Sequence, residues 1–198
     1  MANFKTAYDI TMKAEGGYTN NPKDYGKETY KGISRRFHPE WEGWKQIDYM
    51  KTTGRSFPDC LALPECDKLN KEMVPAFYKK FFWDIFLGDD IQHQLIANEL
   101  FDTGVNMNHV RAIEFLQESL NFLYYRKGLI MTNPLVVDGK FGPKTFTALD
   151  TIKPSAVKLL YKLMNIMQGN HYIERFRADV KQATFMVGWL ERVQFAKE

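Results

Sequence analysis

The chain has 198 residues, enough for one large domain or two small ones with a substantial hydrophobic core. Its 44% hydrophobic and 26% charged residues are the balance of an ordinary globular protein, and no stretch is apolar enough for a membrane span. The net charge of +3 suits an anionic polymer such as a cell wall, but basic residues form no run longer than Arg35-Arg36 or Lys79-Lys80, so nucleic acid is not favoured.

A first helix is predicted from Asn3, a suitable N-cap, to Glu15, where a Gly-Gly pair ends it. One face of this helix carries an apolar stripe at i, i+3, i+4 and i+7: Phe4, Ala7, Tyr8 and Thr11. Glu15 continues the stripe, and burial raises the pKa of a carboxylic acid and keeps it protonated near neutral pH. Glu15 is therefore the candidate proton donor for acid-catalysed bond cleavage. The alternative is a polar residue at a fraying helix end.

The next hundred residues are predicted to be mainly helical after one irregular region. Residues 16–34 are predicted as turns and short extended pieces, and residues 35–54 as short helix and loop. A strong helical stretch follows over residues 66–87, ended by Gly88. Another apolar helix is predicted over residues 91–106, with the pattern Ile91, Leu95, Ile96, Glu99, Leu100 and Val105.

A second unit is predicted to begin near His109 with a further helix. A turn at Asn133-Pro134 and a tight turn at Asp138-Gly139 follow, and then a helix that begins at Pro143, where the missing N–H of proline costs nothing. The last fifty residues are predicted to be helical. The sequence therefore predicts a mainly α protein with two parts, residues 1–108 and 109–198, and with C-terminal helices that pack back on the first.

Two polar residues further along the chain, Asp24 and Thr29, complete with Glu15 a set of side chains suited to glycoside hydrolysis. Asp24 follows after eight intervening residues and Thr29 after four more. In this chemistry the acid protonates the glycosidic oxygen, a second carboxylate stabilises positive charge at the sugar or orients water, and a hydroxyl can hold that water. Asp24 could instead cap a turn, as aspartate often does. Retaining and inverting courses both remain open, because they depend on the separation of the carboxylates in space.

Four further residues are predicted to contact substrate. Tyr18 and Tyr30 flank the proposed acid in sequence and could stack on a sugar, although packing is the simpler interpretation. Asp102 and Asn106 are four residues apart on one helical face and could line the cleft, with an intrahelical hydrogen bond as the alternative.

No cofactor or metal is expected, because the four histidines form no His-x-x-x-His pair and no phosphate-binding glycine loop is present. Cys60 and Cys66 are interpreted as unpaired thiols rather than as a disulfide, and a Cys–His peptidase built on one of them is a minor alternative. No Sec signal is expected at the start of the chain, and a monomer is expected because no heptad pattern appears.

The motifs around the proposed acid resemble glycoside hydrolase family 108. The resemblance rests first on Glu15-Gly16-Gly17-Tyr18, Asn21-Pro22-Lys23-Asp24 and Gly26-Lys27-Glu28-Thr29-Tyr30-Lys31-Gly32-Ile33-Ser34. It continues in Tyr78-Lys79-Lys80-Phe81-Phe82-Trp83-Asp84, Leu100-Phe101-Asp102-Thr103-Gly104-Val105-Asn106 and Phe185-Met186-Val187-Gly188-Trp189-Leu190-Glu191-Arg192. Members of that family are phage and bacterial N-acetylmuramidases, some known as secretion activators. One departure is Lys27, which stands where the family usually has a second glycine.

The resemblance implies a lysozyme-like helical fold with Glu15 as the catalytic acid. The implied reaction is cleavage of the β-1,4 bond between N-acetylmuramic acid and N-acetylglucosamine, with peptidoglycan glycan strands as the partner. The same resemblance implies action on the cell wall. Since no Sec signal is expected, release from the cytoplasm would use another route. Asp24 and Thr29 take their roles from the similar Glu-Asp-Thr spacing of phage lysozymes.

The second half resembles a peptidoglycan-binding module. The resemblance rests on Phe115-Leu116-Gln117, Leu120-Asn121 and the run from Val137-Asp138-Gly139-Lys140 to Phe141-Gly142-Pro143-Lys144-Thr145. The two resemblances together imply a muramidase with a wall-binding part. A phage-style endolysin released through a holin pore and a bacterial protein secreted by another route both fit this interpretation. The alternative is a non-catalytic peptidoglycan-binding or secretion-regulating protein that keeps the lysozyme-like fold.

Overall fold

The computed structural model describes residues 1–14, 16–21, 26–126 and 133–193, and only the backbone of Ala14. The chain forms two compact units. The first, here called the sheet unit, comprises Tyr8–Phe81. The second, here called the helical unit, comprises Met1–Ala7 and Phe82–Glu198. The division predicted between residues 108 and 109 separates two sequence modules, not these two compact units, and it stays a prediction.

Helix α1 spans Phe4–Thr11 and continues as a 3₁₀ turn over Met12–Ala14. Asn3 caps it as predicted, because the Thr6 backbone N–H donates to Asn3 Oδ1 at 3.1 Å. Ala7 and Thr11 are buried, so this part of the predicted stripe faces protein. The predicted helix is therefore present, with a tighter turn at its C-terminal end.

A three-stranded antiparallel sheet follows α1, in the order β1 (Tyr18–Asn20), β2 (Glu28–Tyr30) and β3 (Ile33–Ser34). The two residues between β2 and β3 are Lys31 and Gly32, with φ of 45° and 80°. A two-residue hairpin turn of this type needs positive φ at both central positions. The sheet confirms the extended pieces predicted for this region.

After the sheet the chain is mainly helical, and one helical stretch continues past Phe81, the last residue of the sheet unit, into the helical unit. Helix α2 (Gly43–Thr52) buries Trp44, Ile47 and Met50 along one face. The helix predicted over residues 66–87 is composite: a π-helical turn at Leu69–Met73, α3 at Val74–Tyr78, a second π-helical turn at Lys79–Trp83 and a 3₁₀ turn at Asp84–Phe86. Pro75 lacks the amide hydrogen that a regular α-helix would direct at the Lys71 carbonyl, and Lys71 lies in the first of the two π-helical turns.

The composite helix ends at Leu87, whose φ of 51° is left-handed, rather than at Gly88. Gly88 is needed for a different reason. A Cβ added there would lie 2.2 Å from Trp83 Cε2, so only glycine lets the indole pack this closely.

The helical unit contains α4 (Gln94–Met107), α5 (His109–Tyr125), α6 (Pro143–Asp150), α7 (Val157–Ala178) and α8 (Ala183–Arg192). Helices α4, α5 and α7 pack on one another, and α8 packs on α7. Their shared core contains buried apolar residues of these helices: Leu100, Phe101, Ile113, Leu116, Leu160 and Met164. None of the described helices has both the length and the hydropathy needed to cross a membrane.

The fold class is the predicted one. The described residues are mainly α-helical, and the small sheet lies directly after the first helix, as expected for a lysozyme-like fold.

Candidate functional site

The sheet carries three residues of the predicted catalytic and substrate-binding set, Tyr18, Thr29 and Tyr30. In the sequence, Glu15 falls between the 3₁₀ turn and β1, and Asp24 falls between β1 and β2. Both carboxylates lie outside the described residues, so their roles stay predictions.

Thr29 lies in the middle of β2, where it is paired with Thr19 of β1 on one side and with Ser34 of β3 on the other. Its hydroxyl is close to Gly26, since a Cβ added to that glycine would lie 3.1 Å from Thr29 Oγ1. The Ser34 hydroxyl donates to the Gly26 carbonyl at 2.8 Å. Thr29 is thus half-buried on a strand whose entry is hydrogen-bonded to β3.

A charge network, which the sequence did not predict, holds the sheet to α2. Glu28 accepts hydrogen bonds from Tyr18 Oη at 3.0 Å, from Arg35 at 3.1 Å and from Lys51. Arg35 also donates to Asp48 at 2.7 Å. Burial alone would raise the pKa of Glu28, but the bonds from Lys51 and Arg35 outweigh it, so its pKa is lowered and it is ionised at neutral pH.

The network fixes both ends of the connection that contains Asp24, because Glu28 is paired with Asn20 at the close of the β1–β2 hairpin. Glu28 is therefore a positioning residue for this part of the chain. Glu28 meets Arg35 across the β2–β3 turn and Lys51 from α2, and Asp48 joins the network through Arg35 and Lys51. These contacts depend on how the sheet packs on α2, so a periodicity rule for a single helix or strand does not find them.

The two tyrosines are placed differently. Tyr18 is half-buried, with its ring edge-on to Phe57 at a centroid distance of 4.6 Å and with the Lys51 ammonium 5.8 Å from its ring. Tyr30 is only 3% exposed, and its hydroxyl donates to Asn70 Oδ1. Burial raises the pKa of Tyr30 to about 12. Tyr30 therefore fits the packing interpretation, and Tyr18 is the tyrosine with ring surface left for a ligand.

Asp102 and Asn106 lie on α4, in the helical unit. Asn106 Nδ2 donates to the Asp102 carbonyl at 2.9 Å, which is the intrahelical hydrogen bond considered as the alternative to cleft lining. Asp102 also accepts from Arg192 of α8 at 3.0 Å. The structure thus brings Asp102 together with Asn106 and with the last arginine of the family-like closing motif.

A second acidic residue on α4 is buried. Glu99 is 5% exposed and accepts hydrogen bonds from Thr103 Oγ1 at 3.1 Å and from Asn165 Nδ2 of α7 at 2.9 Å. Gln168 of α7 donates to Thr103 Oγ1 at 3.0 Å. Burial, with a smaller contribution from Asp102, raises the pKa of Glu99 to about 8, so it is mostly protonated at neutral pH.

The peptidoglycan-binding motif is organised by Gln117, a side chain of α5 that is 1% exposed. Gln117 Oε1 accepts from the N–H groups of Asp138 and Gly139 at 3.0 and 3.1 Å. Gln117 Nε2 donates to Asp138 Oδ1 at 2.9 Å and to Thr145 Oγ1 at 3.1 Å. Gly139 has a φ of 67°, and an added Cβ would lie 2.5 Å from Val110 Cγ1. These contacts give the Asp-Gly turn and the following helix start a structural role.

No group of three or more histidine, cysteine, aspartate or glutamate side chains within the described ranges is arranged to hold a metal ion. Cys60 and Cys66 are buried and not bonded to each other. Burial raises the pKa of the Cys66 thiol, which is opposite to the activation that a cysteine nucleophile needs.

Comparison with known proteins gives two family matches. Residues 8–107 match the family described as glycosyl hydrolase 108, and residues 111–194 match a predicted peptidoglycan domain. Both matches confirm the resemblances drawn from the motifs. No curated protein is similar enough to count as a match.

Solved structures share the fold. One of them, SagA of Brucella abortus, aligns over 96% of this chain and 88% of its own, with a TM-score of 0.56 and 20% sequence identity. At 20% sequence identity, this similarity shows that the two proteins share a fold and nothing further.

Proposed function

We propose that this chain, which belongs to the glycosyl hydrolase 108 family, is a peptidoglycan hydrolase that cleaves the β-1,4 bond between N-acetylmuramic acid and N-acetylglucosamine. The observation that carries the proposal is the match of residues 8–107, because it contains the Glu15-Gly16-Gly17-Tyr18 motif. The adjoining peptidoglycan domain match supports the same polymer as partner and the cell wall as the place of action.

In the proposed mechanism, Glu15 is the general acid and donates its proton to the glycosidic oxygen as the bond breaks. Asp24 stabilises the positive charge that develops at the sugar or orients the attacking water, and the Thr29 hydroxyl holds that water. The Glu28 network supports this assignment, since it fixes both strands next to the connection that contains Asp24. Tyr18 supplies ring surface for a sugar.

The test is the release of new reducing ends from purified peptidoglycan by the wild-type chain and by Glu15→Gln. A general acid contributes roughly 10²- to 10⁴-fold, so the variant should lose at least about 100-fold in rate. Its unfolding temperature and circular dichroism should stay those of the wild type. Glu40→Gln is the matched control, because Glu40 is an exposed glutamate of the same unit and should lose no activity.

Three outcomes would contradict the proposal. Equal activity of Glu15→Gln and wild type would remove the acid from its role. Binding of peptidoglycan without any release of reducing ends would favour the non-catalytic wall-binding protein. Release of free amino groups instead would indicate cleavage of the peptide part of the wall.

A further inference from the structure

The segment that precedes the Asp-Gly turn is held in place by a second amide of α5. Asn121 Nδ2 donates to the Leu135 carbonyl at 2.9 Å, and the Leu135 N–H donates to Asn121 Oδ1 at 2.6 Å. Asn121 lies four residues after Gln117, so the two amides project from one face of the helix. Asn121 fixes the start of the segment 135–140, and Gln117 fixes its end.

A groove lies between this fixed segment and α6. Its cavity measures about 330 Å³, which is within the range of small-molecule pockets. Six of the described residues line it: Asn133, Pro134, Leu135, Pro143, Lys144 and Thr147. On α6, Pro143 and Thr147 are four residues apart and share a face, and Lys144 is beside them.

The lining has a definite chemistry. It offers aliphatic and prolyl surface, one amide, one hydroxyl and one cation, the exposed Lys144. Among the described residues, the lining includes no aromatic ring on which a sugar could stack. A lysine ammonium pairs well with a carboxylate, and apolar walls suit small aliphatic side chains.

We propose that this groove, the α6 groove, binds the stem peptide of peptidoglycan, with Lys144 receiving one of its carboxylates. The proposal rests on the proposed function for the identity of the polymer and assigns the α6 groove to its peptide part rather than to its sugars. Stem peptides are short, rich in alanine and carry free carboxylates, which complements the apolar lining and the Lys144 ammonium. The amide clamps on Leu135 and Asp138 hold one wall before the ligand arrives, so binding spends little free energy on ordering it.

The experiment is a calorimetric titration of the full chain with two soluble probes, a synthetic stem pentapeptide and chitotetraose. A charge-assisted hydrogen bond contributes about 1.5–3 kcal/mol, so Lys144→Gln should weaken pentapeptide binding by at least about tenfold. Lys153→Gln is the matched control, because Lys153 is an exposed lysine of the same unit outside the groove and its replacement changes the net charge equally. The pentapeptide with amidated carboxyl groups should bind no better to wild type than the unmodified peptide binds to Lys144→Gln.

Absence of pentapeptide binding overturns the proposal, and so does an equal loss in Lys144→Gln and Lys153→Gln. Binding of chitotetraose that depends on Lys144 would assign the α6 groove to the glycan instead. Release of reducing ends, measured on the same preparations, reports on the hydrolase separately. An active hydrolase without pentapeptide binding disproves only the groove, and an inactive chain with Lys144-dependent binding disproves only the hydrolase.

Discussion

Replacing Glu99 by glutamine should change how the free energy of unfolding depends on pH. Glu99 is buried between α4 and α7, where Thr103 and Asn165 hydrogen-bond its two oxygens. Its pKa is raised to about 8, from an ordinary value of 4.5. Titratable groups face it from both helices. Asp102 on α4 contributes to this shift, and burial and then Glu99 raise the pKa of Tyr161 on α7 to about 12.

The sign follows from proton binding. Between pH 4.5 and about 8 the folded chain keeps the Glu99 proton while the unfolded chain has lost it, so stability falls as pH rises. The contribution is fully present below pH 4.5 and is lost by about pH 8. Each pH unit in this window corresponds to about 1.4 kcal/mol, so roughly 3 kcal/mol is lost between pH 4.5 and pH 7.

Glu99→Gln has nearly the same shape as the protonated acid but does not titrate. The assay is urea unfolding of both chains at pH values from 4.5 to 9, with the difference in free energy of unfolding plotted against pH. This difference should move in favour of the variant by about 3 kcal/mol between pH 4.5 and pH 7 and become flat above pH 8. Glu118→Gln, an exposed glutamate on α5, should give a difference that hardly changes with pH. A pH-independent difference for Glu99→Gln would refute the reasoning, because Glu99 would then be ionised in the folded chain.

Two further predictions concern backbone conformation and are checked by thermal unfolding. Gly139→Ala should lower stability by about 2–3 kcal/mol, because Gly139 has positive φ and no room for a Cβ, whereas Gly188→Ala, in open space within α8, should raise it by about 0.5–1 kcal/mol. A loss at Gly188 as large as at Gly139 would contradict this account. Lys27→Gly should raise stability by up to about 1 kcal/mol, since Lys27 has a φ of 52° and a left-handed lysine costs about 1–2 kcal/mol, partly offset by the greater freedom of glycine in the unfolded chain. An unchanged or lowered unfolding temperature would show that the lysine side chain compensates for its strain.

Most of the fold could be predicted from local signals, because caps, breakers and apolar spacing act over a few residues. Asn3 caps α1, Pro143 begins α6, and the extended pieces after the first helix form the sheet. The change to π-helix on both sides of α3 was not predictable, because each π-helical segment covers only five residues and so changes little of the apolar pattern of the long helical stretch. The conformational freedom of glycine predicts that Gly88 ends a helix. The structure instead requires glycine there because the Trp83 indole packs against it.

The site was less predictable, since its side chains are joined by contacts that are long-range in sequence. In the sequence, Glu28 is one residue of a family-like motif. Its role in holding the sheet to α2 depends on its contacts with Arg35 and Lys51. Gln117 and Asn121 were likewise part of a motif whose meaning becomes clear only when their amides are seen on the backbone of residues 135–140. In both cases the motif residues hold other parts of the protein in place. Sequence spacing alone does not distinguish such structural residues from residues that contact a ligand.

The same limit applies to the proposed acid. Glu15 was first identified as a carboxylate on an apolar helical stripe, yet Glu99 has this signature too and is a buried structural residue bonded to Asn165. The apolar stripe therefore indicates only that a carboxylic acid faces apolar residues. The family motif is the observation that favours a catalytic role for Glu15. The two glutamine substitutions separate these meanings: Glu15→Gln should abolish reducing-end release, whereas Glu99→Gln should change the pH dependence of stability and leave reducing-end release intact. If both variants lost activity equally at full stability, Glu99 would be part of the catalytic chemistry, and its hydrogen bonds to Thr103 and Asn165 would have to be explained as tuning an acid rather than joining two helices.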